Sequence, residues 1–374
     1  MINKKRLLEL TQKLICINSE NPGGDEYKIA YFLRDYLNKY RIKTKLYAFK
    51  DKRINLLATI DGRGKKTLLL NPHLDTVPAG GNWRYPAFGG VIFKDRIYGR
   101  GASDDKGNLA VAVEAIINLL EEDINLDYKL ILAATADEES GSHLGIIPLL
   151  DRGIVKPDMA VVLDSDEFNI ITSQKGLIHL KVKIFGKKAH GAYPWKGENA
   201  IEKAVDILRE IKQFKFRFRP HPLLKPPTVN FGTMHGGDRV NIVSDWCEFE
   251  LDIRFLPGMS HKKILEDFKK IIKKYTKKFK MEIEALQMPF DIEKSNPLVK
   301  YLIYALKKNK INFSIKGSEG ATTITFFKEK NIPAVGFGIG VSGQAHSTDE
   351  YVRIDYLYRG AEVLKDFLVN FKFD

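Results

Sequence analysis

The stretch from Leu130 to Glu139 reads LILAATADEE, and it joins a short apolar run directly to a cluster of carboxylates. Short apolar runs of this kind are typical of buried strands in a parallel sheet. Open α/β sheets carry their ligand sites beyond the carboxyl ends of such strands. The stretch therefore predicts a buried strand that delivers Asp137, Glu138 and Glu139 to the sheet edge where a site is expected.

A second stretch repeats this pattern earlier in the chain. The apolar run 68–70 leads to His73-Leu74-Asp75. Two strands that bring imidazole and carboxylate groups to one edge of a sheet predict a metal site with a built-in base.

Strand and helix patterns alternate outward from these two stretches. The predicted strands cover 67–71, 129–135, 159–163 and 332–336. The predicted helices cover 26–40 and 108–120, and a third begins near Pro297, where Asn296 can cap it. Such alternation predicts an α/β domain with a mostly parallel sheet flanked by helices.

The pattern changes between about residues 175 and 286. Residues 177–185 alternate apolar and polar side chains, as do Phe249, Leu251 and Ile253, which indicates an antiparallel sheet with one wet face. Helices over 200–214 and 261–278 would cover its other face. We therefore predict a discontinuous catalytic domain, 1–174 and 287–374, that carries an inserted α+β domain, 175–286.

Composition and net charge bear on whether the chain binds anionic partners. The 374 residues are 44% hydrophobic with a formal net charge of +13, which can indicate anionic partners. The basic residues are spread widely, however, and the densest stretch, 261–280, reads as an amphipathic helix. A nucleic-acid-binding protein is the alternative from another class, but zinc-finger spacing and RNA-binding aromatic motifs are missing, so we do not expect nucleic acid as a partner.

Cysteine usage and hydropathy point to a cytoplasmic protein. Cys16 and Cys247 are the only cysteines, so neither a disulfide framework nor a zinc–thiolate cluster is expected. Glu9 and Lys13 interrupt the apolar N-terminal segment and argue against a signal peptide. No run approaches the roughly 18 apolar residues of a membrane span, so no membrane partner is expected.

Ionisable residues gather at the ends of the predicted strands of the catalytic domain. They are His73, Asp75, Asp104, Asp105, Glu138, Glu139, Asp164 and His346. Imidazole and carboxylate without thiolate suit two divalent ions of zinc, cobalt or manganese. The four positive charges of two ions balance three ligating carboxylates and one bridging hydroxide, a charge state that generates a nucleophile near neutral pH.

The stretches that carry these residues resemble one known family. It is the family of co-catalytic zinc amidohydrolases and peptidases that includes acetylornithine deacetylase, succinyl-diaminopimelate desuccinylase, aminoacylase and carboxypeptidase G. The similar stretches follow the order of the family along nearly the whole chain, at 73–78, 98–107, 137–139, 186–194, 241–254 and 345–351.

The resemblance implies a set of metal ligands. His73 and Asp164 would bind one ion, and Glu139 and His346 would bind the other. Asp104 would bridge both ions. Asp164 departs from the family pattern, because many members have Glu at this position.

The resemblance also implies how the centre works. Asp75 would hold the ring of His73 in position. Glu138 would be the general base that takes a proton from the attacking water and passes it to the leaving amine. A cis peptide bond would follow Asp104.

The inserted domain would, by the same resemblance, be a lid and dimerisation domain. His190 would stabilise the oxyanion and, in a homodimer, reach the active site of the other subunit. Asn241 and Arg254 would hold the substrate, and Arg254 would bind a carboxylate. Gly320 would supply a backbone contact, although residues 318–323 lack the Asp that many members carry there.

The sequence therefore predicts an amidohydrolase that removes an acyl group from an N-acyl amino acid through a metal-bridged hydroxide. The alternative is a metallo-exopeptidase, either a carboxypeptidase or a dipeptidase, that acts on a short peptide with the same site. A third reading, an inactive metal-binding relative, is disfavoured because Glu138 is intact.

Overall fold

The structure is a computed structural model that describes residues 1–23 and 25–374. The chain divides into two units. The first unit contains residues 1–172, 292–316 and 322–374, and the second contains residues 173–291 and 317–321.

The helices and strands follow one another along the whole described chain. The helices are α1 Lys4–Cys16, α2 Glu26–Asn38, α3 Lys106–Glu121, α4 Ile146–Asp151, α5 Ala200–Gln213, α6 His261–Tyr275, α7 Pro297–Lys308, α8 Ile324–Glu329 and α9 Ile354–Asn370. The strands are β1 Lys43–Lys50, β2 Arg53–Ile60, β3 Thr67–Asn71, β4 Val91–Phe93, β5 Arg96–Tyr98, β6 Lys129–Ala134, β7 Met159–Val162, β8 Ile170–Gln174, β9 Gly176–Phe185, β10 Thr228–Gly236, β11 Trp246–Phe255, β12 Phe279–Gln287, β13 Phe290–Asp291, β14 Ile315–Ser318, β15 Ala334–Phe337 and β16 Tyr351–Arg353.

The sheet of the first unit has a parallel centre and antiparallel edges. Its strands follow the order β1-β2-β6-β3-β7-β15-β8. The neighbours β6, β3, β7 and β15 run parallel, whereas β1–β2, β2–β6 and β15–β8 pair antiparallel. The predicted sheet is confirmed, and all five residues of β3 are buried, as expected for a strand covered on both faces.

Helices cover this sheet and complete a core of aliphatic side chains. Helix α3 is buried along almost its whole length and packs against α1 and α9. A helix that is apolar on all sides needs such a position between other elements. At the start of α7, Asn296 accepts a hydrogen bond from the N–H of Leu298 at 3.0 Å, and Pro297 occupies the first turn, so the predicted cap is confirmed.

The second unit contains an antiparallel sheet with strand order β10-β11-β9-β12. Alternate residues of β9 and β11 are buried against the apolar faces of α5 and α6, which confirms the predicted period-two pattern and its two covering helices. The edge strand β10 is exposed along almost its whole length.

One segment predicted for the first domain groups with the second unit instead. In residues 317–321, Glu319 pairs with Lys175 at 2.6 Å, and Lys175 also donates to the carbonyl of Pro226 at 2.7 Å. These contacts fix the segment to residues of the second unit. Elsewhere the units change at 172/173 and 291/292, close to the predicted 174/175 and 286/287. The lid and dimerisation role stays a prediction.

Within the described part of the chain, the helices are all too short or too polar to cross a membrane.

Candidate metal centre

Three side chains from separate parts of the first unit form one ligand group. His73 follows β3, Asp164 follows β7 and Asp104 precedes α3. One ligand atom from each residue lies within 4.8 Å of the others, and Nε2 of His73 is 2.9 Å from Oδ1 of Asp104. The parallel strands β3 and β7 are neighbours, so their carboxyl ends bring His73 and Asp164 together.

A second ligand group shares Asp104 with the first. It combines Asp104, Glu139 and His346, whose ligand atoms also lie within 4.8 Å of one another. Nε2 of His346 is 3.1 Å from Oε2 of Glu139 and 3.3 Å from Oδ2 of Asp104. The two oxygens of Asp104 therefore face different histidines, as a bridging carboxylate requires.

The environment of Glu139 and Asp164 fits bound cations. Oε1 of Glu139 is buried and has no hydrogen-bond partner among the described residues, and such an oxygen is costly unless something positive satisfies it. Burial, together with the negative charge of Asp104, raises the pKa of Asp164 to about 7. Carboxylates crowded with imidazoles, without a thiolate, form a donor set that suits zinc, cobalt or manganese.

The two histidines respond to the same negative charge. Hydrogen bonds to Asp104 and Glu139 raise the pKa of His346 to about 10. Burial opposes protonation of His73, but its hydrogen bond to Asp104 and the nearby carboxylate of Asp75 outweigh burial and raise its pKa well above the usual value. The centre therefore attracts positive charge. His346 also has φ of 62°, an uncommon backbone conformation for a residue other than glycine.

Glu138 lies beside the second ligand group, in a short 3₁₀ turn after β6. Burial raises the pKa of its carboxyl group well above the usual value; His73 opposes this shift, and the negative charges of Asp164 and Glu139 add to it. A carboxylate with a raised pKa is suited to take up and release a proton near neutral pH.

Asp75 contacts the ring of His73 through its main chain, and its carboxylate has other partners. Nδ1 of His73 lies 2.9 Å from the main-chain carbonyl of Asp75, while the Asp75 carboxylate is 3.6 Å away, too far for a hydrogen bond. The carboxylate instead accepts the N–H groups of Glu138 and Glu139, each at 3.1 Å, and the side-chain amide of Asn21 at 2.9 Å. The local turn of the chain places the Asp75 carbonyl closer to the ring than its carboxylate.

The predicted cis peptide bond between Asp104 and Asp105 is confirmed. Asp105 belongs to neither ligand group and accepts the main-chain N–H of His73 at 2.9 Å and the side-chain amide of Asn108 at 2.8 Å.

Comparison with known proteins places this arrangement in a family. Residues 69–370 match the family described as Peptidase family M20/M25/M40. The chain belongs to this family. It is a metal-dependent hydrolase of amide or peptide bonds, and the substrates of such enzymes are small molecules or peptides.

Individual M20 relatives are similar along almost the whole chain. An uncharacterized metallohydrolase of Methanococcus maripaludis is 30% identical over 96% of this chain and 98% of its own. A succinyl-diaminopimelate desuccinylase of Orientia tsutsugamushi is 27% identical over 96% of this chain and 94% of its own. The solved structure of aminopeptidase PepT from Bacillus cereus shares the fold, with a TM-score of 0.82 and 23% identity over 98% of both chains.

The second unit of this M20 chain brings His190 and Asn241 together. The N–H of Gly191 donates to the carbonyl of Asn241 at 2.8 Å, and a Cβ at Gly191 would lie only 2.9 Å from the main chain of Asn241. Nδ1 of His190 accepts the N–H of Ala192 at 3.0 Å. In the neutral ring Nε2 must then carry the proton, so it can donate to an oxyanion.

Arg254 and Gly320 also lie in the second unit. Arg254, on β11, donates two N–H groups to Asp252, which leaves the remaining donors of its fork for a ligand. A Cβ at Gly320 would meet nothing nearer than Oγ of Ser318 at 3.7 Å, so local space does not require glycine there.

Sequence reasoning missed three residues that support the first unit's ligand groups. Asn21 donates to Asp75, and Arg100 forms a buried ion pair with Glu350 at 2.7 Å. The sequence could have indicated the pair of Arg100 and Glu350, because both are charged residues inside stretches that resemble the family, at 98–107 and 345–351.

Proposed function

We propose that this M20 hydrolase is a deacylase of N-acyl amino acids that uses two divalent metal ions. The observation that carries the proposal is the position of Asp104, whose two oxygens face His73 and His346, with Glu138 next to the ligand group. Two ligand groups joined by one carboxylate, beside a carboxyl group of raised pKa, are the parts that hydrolysis of an amide requires.

His73 and Asp164 would hold one ion in this proposal. Glu139 and His346 would hold the other, and Asp104 would contact both. The ions would be zinc, with cobalt or manganese as substitutes, because the donors are imidazole and carboxylate. When bound, they would polarise the scissile carbonyl and make the attacking water more acidic.

The side chains of the first unit would then move the protons. Glu138 would accept a proton from the attacking water and donate it to the nitrogen of the leaving amine. Asp75 would hold the main chain of Glu138 and Glu139, so that base and ligand keep a fixed separation. The carbonyl of Asp75 would hold His73 with Nε2 directed towards Asp104.

The side chains of the second unit would bind the substrate. Nε2–H of His190 would donate to the developing oxyanion. Arg254 would bind the substrate carboxylate through a planar fork, Asn241 would donate or accept a further hydrogen bond, and Gly320 would offer its main chain. In a homodimer, His190 of one subunit would serve the centre of the other.

Chemistry and the relatives support the proposed substrate class. An N-acyl amino acid presents an amide next to a carboxylate. Glu138 would act as the general base at the amide, and Arg254 would bind the carboxylate. A relative of 27% identity is named succinyl-diaminopimelate desuccinylase. A metallo-exopeptidase is the alternative, because a C-terminal residue of a short peptide presents the same amide and carboxylate.

Amine release by the purified protein tests the proposal. The assay adds zinc or cobalt and compares N-acetyl and N-succinyl amino acids with simple dipeptides, while elemental analysis counts the bound ions. Metal-dependent release from acylated amino acids supports the deacylase, and release from dipeptides alone supports the exopeptidase. Failure to bind metal would overturn both.

A further inference from the structure

The carboxylate of Glu350 is buried and accepts four hydrogen bonds from one loop. Its Oε2 accepts from Nη1 of Arg100 at 2.7 Å and from the N–H of Gly101 at 3.0 Å. Its Oε1 accepts from the N–H of Ser103 at 2.8 Å and from the N–H of Asp104 at 3.0 Å. Glu350 therefore holds the main chain of the loop that ends in the shared carboxylate of the centre.

Arg100 extends the same contact to two further loops. Its guanidinium donates to the carbonyl of Ser347 at 3.0 Å and to the carbonyl of Pro78 at 3.3 Å. The side chain is only 2% exposed and lies over the ring of Trp83, 5.1 Å from its centroid. Both Nη groups of Arg100 have partners, while its buried Nε has none among the described residues. A buried charge needs such partners, because desolvation of an unpaired arginine is costly.

The loops joined in this way all carry proposed ligands. Pro78 lies in the loop after His73, Ser347 follows His346, and Asp104 ends the loop that Glu350 holds. His346, with its φ of 62°, needs surrounding contacts to stay in that conformation. The ligands themselves come from distant parts of the chain, so their spacing depends on contacts between loops.

We propose that Arg100 and Glu350 are positioning residues that set the spacing of Asp104 and His346 for two metal ions. The inference rests on the proposed function, because it takes these two side chains as ligands. Neither Arg100 nor Glu350 needs to touch an ion, since both act through the main chain of the loops. Partners of ligands commonly change metal affinity by about 10- to 100-fold when they are replaced.

Glu350→Gln is the first test, and Glu114→Gln is its matched control. Glutamine has one acceptor oxygen, so its amide group would face N–H donors of the loop. Glu114 is also a buried carboxylate of the first unit, which accepts from Nε of Arg6 at 2.7 Å and from the N–H of Asn3 at 2.8 Å. Both variants lose comparable hydrogen bonds, but Glu114 contacts no proposed ligand among the described residues.

The readouts are the number of zinc ions bound, their dissociation constants and the visible spectrum of the cobalt-loaded protein. Glu350→Gln is expected to raise the dissociation constants by about 10- to 100-fold and to change the cobalt spectrum. Glu114→Gln is expected to lower the unfolding temperature while keeping wild-type metal binding. Equal loss of affinity in both variants, or wild-type affinity in Glu350→Gln, would overturn the inference.

Arg100→Lys decides the matter if Glu350→Gln does not fold. Lysine keeps the charge opposite Glu350 but cannot also reach the carbonyls of Ser347 and Pro78. We expect about tenfold weaker zinc binding, and unchanged binding would contradict the proposal. If the wild-type protein binds two ions and hydrolyses substrate, and both variants bind zinc as it does, then the positioning role is wrong and the proposed function stands. Wild-type protein that binds no ion would overturn the proposed function as well.

Discussion

Arg254 donates two parallel hydrogen bonds to Asp252, with Nε 2.7 Å from Oδ1 and Nη2 2.9 Å from Oδ2. The two residues stand two positions apart on β11, so their side chains share one face of the strand. Partial burial opposes the effect, but these hydrogen bonds hold the pKa of Asp252 below its usual range. Asp252 therefore fixes the plane of the Arg254 guanidinium, which we propose binds the substrate carboxylate.

Replacement of Arg254 by lysine should raise KM while it changes kcat little. Lysine is a point charge, so it cannot hold Asp252 by two parallel bonds and also present a planar pair of donors to a ligand. We expect KM for carboxylate-bearing substrates to rise about tenfold or more, the cost of a lost charge-assisted hydrogen bond. Steady-state kinetics with a carboxamide analogue is the control, since its KM should not respond. Equal effects on both substrates would remove Arg254 from carboxylate binding.

Replacement of Glu138 by alanine should abolish turnover and leave metal binding intact. General bases contribute about 10²- to 10⁴-fold to a rate, and Glu138 lies beside the ligand groups without belonging to either. Glu138→Asp keeps a carboxylate at a shorter reach and should lose less. Metal content and turnover of both variants are measured together. Retained turnover in the alanine variant would exclude Glu138 as the base.

Zinc affinity should fall steeply as pH falls. The carboxylates around His346 raise its pKa to about 10, so below that pH a proton and a cation compete for Nε2. Each proton displaced weakens apparent binding by about tenfold for every pH unit below the pKa, and affinity recovers as pH rises towards 10. Competition titrations with a chelator between pH 6 and 9 measure this slope.

A matched variant separates this linkage from general effects of pH. His346→Ala should bind one ion more weakly and lose one of the protons released on zinc binding at pH 7. Proton release is followed with an indicator in weakly buffered solution. An affinity for zinc that does not change with pH would contradict the prediction.

The strands that position the centre could be predicted from sequence because a buried strand has a run of consecutive apolar residues. Strand β3 is buried throughout and was predicted with its observed bounds, and β6 and β7 were predicted to within a residue. A strand that is covered on both faces must be apolar at successive positions. Its carboxyl end then fixes where His73 and the Glu138 turn begin.

Other features of the structure have no such local sequence pattern. Strand β10 is exposed along almost its whole length, and a bulge between Phe231 and Thr233 interrupts the alternation that begins with Val229 and Phe231. Its place at the sheet edge depends on pairing with β11. The contact of Asp75 with Glu138 joins residues that are 63 positions apart in the sequence. Arg100 and Glu350 form an ion pair although 250 positions separate them. Sequence motifs contained these residues, but only the folded chain shows which main-chain groups they hold.

Replacement of Asp75 by asparagine should slow turnover and weaken metal binding without unfolding the protein. Each carboxylate oxygen of Asp75 accepts one N–H from the turn that carries Glu138 and Glu139. Asparagine keeps only one acceptor oxygen, and its amide would face the other N–H, so base and ligand would shift together. We expect kcat to fall about 10²-fold and zinc affinity about 10-fold.

Asp158→Asn provides the matched control for Asp75→Asn. Asp158 accepts the N–H of Thr67 at 2.7 Å, at the opposite end of the same strand β3 from His73. Each substitution removes charge-assisted hydrogen bonding to the main chain. Asp75 is buried, so Asp75→Asn should reduce the free energy of unfolding by about 1.5–3 kcal/mol, whereas Asp158 is exposed and Asp158→Asn should reduce it less. Only Asp75→Asn should change kcat and metal affinity. Because both variants bear the same chemical change on the same sheet, a kinetic loss shared by both would mean that Asp75 supports the fold rather than the position of Glu138.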